Sequence, residues 1–284
     1  MTRRRTIEER VKVYGELCDI LGAMKNIALM EMRKLAGAAD AQPALRETLE
    51  RAAADFFALP EAPRVTRTSE PTVMIGVGSE RGFCGNFNVT VARSLEEKLA
   101  AHRQRPKLVL IGQRLAEHVP ALSGDALVIE GPTMMEEVQS TLKRLLDAVA
   151  AQHGLREAFT LEGLAIVHHG AGGESNGPQL YRPVERFLAR RSATNAPAAL
   201  LLPPREFLAG LIEHYMTAML NGVLYASLAV ENRLRYAHME SAVHRLNERI
   251  AGMRSRINMI RQEEITEDIE EIILGAGASV RLPE

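Results

Sequence analysis

The sequence predicts two long terminal helices that pair as an antiparallel coiled coil, with an α/β domain inserted between them. Apolar residues near both ends of the chain recur in steps of 3 and 4, which is the spacing of a narrow coiled-coil seam. The middle of the chain instead alternates short apolar runs with amphipathic segments, as the strands and helices of a parallel sheet do. We therefore expect three regions, residues 1–59, 71–191 and 203–276.

The first region is predicted to be helical from about Thr6 to Leu59. Its apolar residues follow one another in steps of 4, 3, 4 and 3 and then continue less regularly; they are Ile7, Val11, Tyr14, Cys18 and Leu21, followed by Met24, Ala28, Met32 and Leu35. Pro43 interrupts the pattern, so either the helix kinks there or a new turn begins after Asp40.

The last region begins at Pro203 and Pro204, because proline is tolerated in the first turn of a helix. Its seam consists of Met239, Val243, Leu246, Ile250, Met253, Ile257 and Ile260, and it resumes after a step of 5 with Ile265, Ile269 and Ile272. Gly275 and Gly277 then supply stop signals. A helix over residues 205–274 would be roughly 105 Å long. It must protrude from any compact domain, and the first helix is the obvious antiparallel partner for its seam.

The inserted region reads as a Rossmann-like α/β domain with its own core. The predicted strands cover residues 72–78, 107–112, 126–130, 161–169 and 179–189, and the predicted helices cover residues 87–102 and 134–152.

Composition excludes several classes of protein. The 284 residues carry 35 Lys and Arg against 36 Asp and Glu, and Trp is absent, so we expect no binding to nucleic acid. Two cysteines cannot form a disulfide scaffold. The longest uncharged apolar stretch, 16 residues from Tyr215 to Val230, is shorter than a membrane span and is predicted to be a helix buried in protein.

Few residues suggest catalysis. Gly76 and Gly78 lie at the end of a predicted strand and Gly82 follows it. Their spacing differs by one residue from a dinucleotide-binding loop, and the chain has no phosphate-binding loop. His168 and His169 could be half of a metal site, although a histidine pair in a loop is more often simply solvated. We therefore predict no cofactor and no metal.

The last helix carries arginines before a run of acids that starts at Glu263. This pattern indicates either a solvated face with ion pairs one turn apart or a helix whose charge changes to suit different partner surfaces. The arginines are Arg233, Arg235, Arg245, Arg249, Arg254, Arg256 and Arg261.

Four separated motifs resemble the γ subunit of F-type ATP synthases, and they suggest a somewhat divergent bacterial member. Residues 79–88, SERGFCGNFN, resemble the family's S-D-R-G-L-C-G-x-x-N, and residues 23–28, AMKNIA, resemble A-M-x-M-V-A. Residues 258–276, NMIRQEEITEDIEEIILGA, resemble the family's N-x-x-R-Q-x-x-I-T-x-E-x-x-E-I-x-x-G-A. Residues 227–231, SLAVE, resemble S-L-A-S-E. The sequence departs from the family at Asn26, Glu31, Asn86 and residues 254–256.

The resemblance implies a central rotor shaft inside a head of α and β subunits, with the α/β domain bound to the ε subunit and the ion-driven c-ring. It implies a non-catalytic subunit at the cytoplasmic face of the cell membrane. The segment 275–280 would turn in the bearing of the head. The implied contacts with the catalytic head are Met24, Lys25, Arg81, Cys84, Arg261, Gln262 and Thr266.

Two alternatives stay open. One is a nucleotide-binding α/β enzyme with helical extensions, which would bind ATP or NAD as an isolated chain. The other is a coiled-coil tether with an unrelated insert, which would need no particular residues between Arg261 and Thr266.

Overall fold

The computed structural model describes residues 2–63, 70–120, 124–170, 177–189 and 200–279. The chain divides into two compact units. We call Ala28–Tyr236 the sheet unit, and Met1–Ile27 together with Ala237–Glu284 the paired-helix unit. Each unit is described by itself below.

The described helices and strands follow in an order that alternates strands and helices between two long terminal helices. In chain order they are α1 (Thr2–Phe57), β1 (Val73–Val77), α2 (Phe87–Ala100), β2 (Lys107–Ile111), α3 (Gln113–His118), β3 (Leu127–Ile129), a 3-10 turn (Met135–Glu137), α4 (Val138–Ala151), α5 (His153–Ala158), β4 (Leu164–His168), β5 (Gln179–Tyr181), α6 (Pro183–Phe187) and α7 (Pro204–Ser279).

The sheet unit is built on a five-stranded sheet with the order β3-β2-β1-β4-β5. Strands β1 to β4 all run parallel to one another, and β5 runs antiparallel to β4. The order turns outward in both directions from β1, as it does in doubly wound folds. The predicted fold class, long terminal helices with a Rossmann-like insert, is confirmed.

Both faces of the sheet are covered, which explains why its central strands read as continuous apolar runs. One face packs against α4 and against α7, where Met219, Val223 and Leu228 are buried. The other face packs against α2 and α3, through side chains that include Leu95 and Leu115. The apolar stretch 215–230 therefore contributes to a protein core, as predicted.

Several local predictions were wrong or incomplete. The predicted strand 179–189 ends at Tyr181 and is followed by α6, because Pro183 occupies a first-turn position where its missing N–H costs nothing. Helices α3 and α5, of 6 residues each, were not predicted. Helix α1 continues across Pro43, so no new helix begins after Asp40.

The predicted stop at the C-terminal glycines is also wrong. Helix α7 runs on to Ser279, through both Gly275 and Gly277. Glycine lowers helix propensity, but it ends a helix only where the chain takes up the left-handed conformation. The predicted bearing segment 275–280 lies outside the residues whose side chains are described.

The paired-helix unit is an antiparallel coiled coil. Arg4 forms an ion pair with Glu264 at 2.5 Å, and the Cys18 thiol lies 3.6 Å from Asn247 Oδ1. Lys25 Nζ lies 3.9 Å from a carboxylate oxygen of Glu240. Partner numbers fall along α7 as they rise along α1, which is the signature of antiparallel pairing.

The seam between these helices matches the sequence prediction as far as Ile260. Met239 and Ile250 are buried, and the remaining seam residues are half-buried. The expected resumption at Ile265, Ile269 and Ile272 is wrong, since all three side chains are exposed. The step of 5 rotates them off the seam. In addition, Arg4 near the start of α1 pairs with Glu264, so little of α1 is left to cover the residues beyond Glu264.

Helix α1 also carries apolar side chains that face away from the seam. Val13, Leu17, Ile20 and Ile27 follow one another in steps of 4, 3 and 7, and all four are exposed. We call these four residues the outward stripe. Nothing in the described residues of the paired-helix unit covers it. Among the described residues, we find no helix with the length and apolar character that a bilayer crossing requires.

Candidate functional site

The turn between β1 and α2, residues 79–86, carries the most distinctive motif of the sequence. It is closed from inside by two buried polar residues. The Ser79 backbone N–H donates to Asn88 Oδ1 at 2.9 Å, and Asn88 Nδ2 donates back to Ser79 Oγ at 2.8 Å. Ser79 Oγ lies 2.9 Å from the Arg81 carbonyl oxygen and donates to it. Both ends of the turn are therefore tied to one network.

Glu80 closes the edge of the sheet beside this turn. One of its carboxylate oxygens accepts the backbone N–H of Gln113 at 3.1 Å and that of Gly131 at 2.9 Å. These two residues follow β2 and β3, so Glu80 joins the carboxyl ends of three neighbouring strands. Doubly wound folds bind ligand anions at this edge. Here the chain's own carboxylate uses the available N–H donors.

A buried arginine of α7 grips the same turn from the other side. The Arg235 guanidinium donates to the carbonyl oxygens of Gly82 at 3.3 Å and Arg81 at 3.4 Å. It also donates to Asn232 Oδ1 at 3.0 Å and forms an ion pair with Glu231. Burial raises the pKa of the Glu231 carboxyl to about 7, against the opposing effect of Arg235.

The tip of the turn divides its side chains between solvent and core. Phe83 has φ of 63° and its side chain is 57% exposed, and Gly85 also has positive φ. Cys84, which lies between them, is 3% exposed and packs against Phe87 and Val230. Burial raises the pKa of the Cys84 thiol, so this cysteine is a packed residue rather than a reactive one.

The histidine pair at the end of β4 is buried, so the solvated interpretation was wrong. The ring of His169 stacks on Phe87 with centroids 4.5 Å apart, and its Nε2 lies 3.1 Å from Thr90 Oγ. Burial lowers the pKa of His168 to about 4. In the part of the chain that the structure describes, no group of three or more His, Cys, Asp or Glu side chains could hold a metal ion.

Glu31, one of the departures from the family pattern, makes a contact that the sequence did not reveal. Its buried carboxylate accepts the backbone N–H of Met135 at 2.9 Å, at the first residue of the 3-10 turn before α4. Lys34 donates to Glu31 and to Glu136, both at 2.9 Å. These hydrogen bonds, that to Glu136 first, raise the pKa of Lys34.

The implied head-contact residues fall into separate groups. In the paired-helix unit, Arg261, Gln262 and Thr266 are exposed, and the Thr266 hydroxyl donates to the Gln262 carbonyl at 2.9 Å. Met24 and Lys25 are half-buried, and Lys25 lies beside Glu240 in the part of α7 that belongs to this unit. The two groups are roughly 30 Å apart along α7. Arg81, exposed, and Cys84, buried, belong to the sheet unit.

Sequence reasoning missed Glu231, Asn232 and Arg235 as parts of the site. Arg235 was grouped with charges expected either on a solvated face or on a partner surface, but it is buried. An acid and an arginine four residues apart look the same in sequence whether they are buried or solvated. The available signal was their position, directly after the apolar stretch that ends at Val230.

Comparison with known proteins gives one consistent result. The sequence model of the family described as ATP synthase matches residues 3–278. Among relatives, the ATP synthase gamma chain of Ruminococcus albus is 26% identical, with 96% of this chain and 97% of that protein covered. The gamma chain of Acetobacterium woodii, named as sodium ion specific, is 23% identical over the same shares.

Solved structures agree on the fold. A chain in the mitochondrial ATP synthase of Euglena gracilis, from an OSCP/F1/c-ring assembly in rotational state 3, superposes with a TM-score of 0.68 at 15% identity. That match covers 100% of this chain and 97% of the other. A central stalk/c-ring structure from Tetrahymena thermophila gives a TM-score of 0.51 at 15% identity, with 78% of this chain and 99% of that chain covered.

Proposed function

Because the chain belongs to the γ-chain family of ATP synthases, we propose that it is the central rotor shaft of an F-type ATP synthase. In this role the shaft couples ion flow through a membrane ring to ATP synthesis or hydrolysis in a head of α and β subunits. A rotating shaft acts by differential contacts, since each orientation favours one conformation of a catalytic site over another.

The observation that carries this proposal is the antiparallel pair of helices, together with the motif residues displayed on it. Arg261, Gln262 and Thr266 lie just beyond the regular seam and project into solvent. Arginine offers a rigid fork for carboxylates and carbonyls, and glutamine both donates and accepts hydrogen bonds. Such groups suit polar contacts with the loops of a surrounding subunit, and the half-buried Lys25 adds a cation further along the pair.

We also propose that the chain catalyses nothing itself. At the sheet edge where an α/β enzyme would hold a nucleotide, Glu80 already occupies two backbone donors. Phe87, which follows β1, is fully buried and stacks on His169, which follows β4; the strand order reverses between these two strands. These contacts support a structural sheet unit, and nothing favours the alternative of a nucleotide-binding enzyme.

The partners of this proposal are the α and β subunits at the head-contact residues, and the ε subunit and c-ring at the sheet unit. The chain would sit at the cytoplasmic face of the membrane as a peripheral subunit.

Co-purification and substitution test the proposal together. A tagged copy isolated from membranes should bring down the head subunits and the c-ring; recovery of the chain without them would refute the role. In the assembled complex, Arg261→Ala with Gln262→Ala should slow ATP turnover by about tenfold or more, because a hydrogen bond to a charged group is worth about 1.5–3 kcal/mol.

A matched control for this pair exists in the chain. Arg103 and Gln104 repeat the same two residue types in the same order, in an exposed loop after α2. Arg103→Ala with Gln104→Ala should leave turnover unchanged. Equal turnover of both double variants and the wild type would show that the motif residues do not carry the contact.

A further inference from the structure

The turn that contains Phe83 is held in a conformation that its sequence does not favour. A bulky residue other than glycine is an outlier at positive φ, because its Cβ crowds the backbone. Phe83 adopts φ of 63° nonetheless and is 57% exposed to solvent. Neither the strain nor the exposure benefits the folded chain on its own, and both occur at the same residue.

The contacts that impose this conformation come from both sides of the turn. Arg235 donates to two consecutive carbonyl oxygens, those of Arg81 and Gly82, directly before the strained residue. Glu231 forms an ion pair with the Arg235 guanidinium, and the Ser79 hydroxyl donates a hydrogen bond to the Arg81 carbonyl oxygen. Directly after Phe83, the buried Cys84 anchors the chain.

The burial of Arg235 indicates that its hydrogen bonds to the turn are specific. An arginine is rarely taken out of water unless its donors are used, and here Arg235 donates from Nε, Nη1 and Nη2. The planar fork is what allows it to reach two neighbouring carbonyls together. A lysine could neutralise Glu231 but could not hold both.

We propose that Arg235 is a positioning residue that holds the 81–85 turn so that Phe83 is presented as a rigid anchor for an apolar socket on the catalytic head. This inference rests on the proposed function and refines the predicted head contact of the turn. Cys84 is buried, so contact with a partner passes through Phe83 and the exposed Arg81. The exposed residues of the turn include a cation and no acid, which fits a socket bordered by carboxylates.

Rigidity is what makes such an anchor effective in a rotating shaft. A flexible loop would lose conformational entropy each time it met a partner, and it would yield under load. A turn whose geometry is already fixed by a buried arginine loses little on contact. Large aromatic side chains are also the residues that most often dominate binding at interfaces.

Phe83→Gly separates the anchor from a purely structural role. Glycine tolerates positive φ, so the variant should unfold at the same temperature as the wild type or a higher one. ATP turnover and ATP-driven ion pumping by the assembled complex should fall by about tenfold. Phe83→Leu should retain most of the turnover, and Val89→Ala, which truncates an exposed apolar residue on α2, should change nothing.

Arg235→Lys tests whether the arginine acts through Phe83. Alone it should slow turnover, but it should add little slowing to a complex that already carries Phe83→Gly. Fully additive effects would overturn the positioning role, and unchanged turnover in Phe83→Gly would overturn the anchor. If the Arg261 and Gln262 double variant slows turnover while Phe83→Gly does not, this inference fails and the proposed function stands.

Discussion

The two units use the same long helix, α7, in different ways. Within the sheet unit its residues are buried on several sides, as Tyr215, Leu224 and Leu228 show. Within the paired-helix unit only a narrow seam is covered, and Ile265, Ile269 and Ile272 are exposed. Apolar residues in steps of 3 and 4 place one buried stripe along a helix. Burial on several faces requires a stretch that is apolar on every face and has no charges. The contrast teaches that one helix can be covered on several faces along one stretch and on one narrow face along another.

The largest effect should follow from a cavity in the sheet unit. Leu224 is 1% exposed and belongs to the main core, so Leu224→Ala removes apolar contacts that the covered surroundings cannot replace. We expect a loss of about 3–5 kcal/mol in unfolding free energy, measured by chemical denaturation. A loss similar to that of an exposed substitution would contradict the assignment of this stretch to a core.

Acid should destabilise the sheet unit through His168. Its folded pKa of about 4 lies below the ordinary value of 6.5, so the unfolded chain binds the proton more tightly. The stability that neutral His168 provides is complete above pH 6.5 and is lost as the pH falls towards 4, a total of about 3 kcal/mol. The unfolding free energies of the wild type and of His168→Asn can be measured by chemical denaturation at several pH values. The difference between them should change by about that amount as the pH falls through this range.

Wild type and His168→Asn must be compared, because titration of Glu231 changes the stability of each protein in the opposite direction. Its pKa is raised from 4.5 to about 7, so the folded state holds that proton more tightly, and stability from this group falls as the pH rises from 4.5 to 7. Both proteins retain Glu231, and its effect cancels. Identical pH profiles for wild type and variant would show that His168 does not titrate as inferred.

A smaller effect is expected in the paired-helix seam. Ile250 is 7% exposed and is covered mainly by one neighbouring helix, so Ile250→Ala should cost about 2 kcal/mol, the lower end for such truncations. Glu248→Ala, an exposed change two residues away, is the control and should stay within about 0.5 kcal/mol. Hydrogen exchange of the amides between Met239 and Ile260 should report the loss, and equal protection in both variants would refute the seam.

The smallest effect should come from the exposed isoleucines. Ile269→Ser removes an apolar side chain that contacts little within the described chain, so the isolated protein should keep its unfolding free energy within about 0.5 kcal/mol. A substantial loss would mean that this stretch of α7 is covered within the chain, and the contrast between the two units would be weaker than described.

Much of this architecture could be predicted from the sequence because its signals are periodic. The seam from Met239 to Ile260 and the apolar strands β1, β2 and β4 depend on spacing, which is visible in one dimension. The switch from strand to helix after Tyr181 could have been found from Pro183. Other features depend on what covers a residue: the burial of His169 follows from stacking on Phe87, and the step of 5 before Ile265 shows its effect only when the partner helix is known.

The site was predictable at the level of motifs but not at the level of contacts. The segment that contains Arg81 and Cys84 stood out by its residues, whereas the positive φ of Phe83 is not typical of phenylalanine and has no signal in the sequence. Arg235 and Glu31 are ordinary charges in sequence. Their roles arise because backbone carbonyls and an N–H from distant segments meet them in the folded chain.

The outward stripe on α1 has a consequence for how the subunit is made. A copy that has been synthesised but not yet assembled displays Val13, Leu17, Ile20 and Ile27 to water, and such a row invites a second copy or a chaperone. Surplus chains would therefore be prone to self-association and then to degradation.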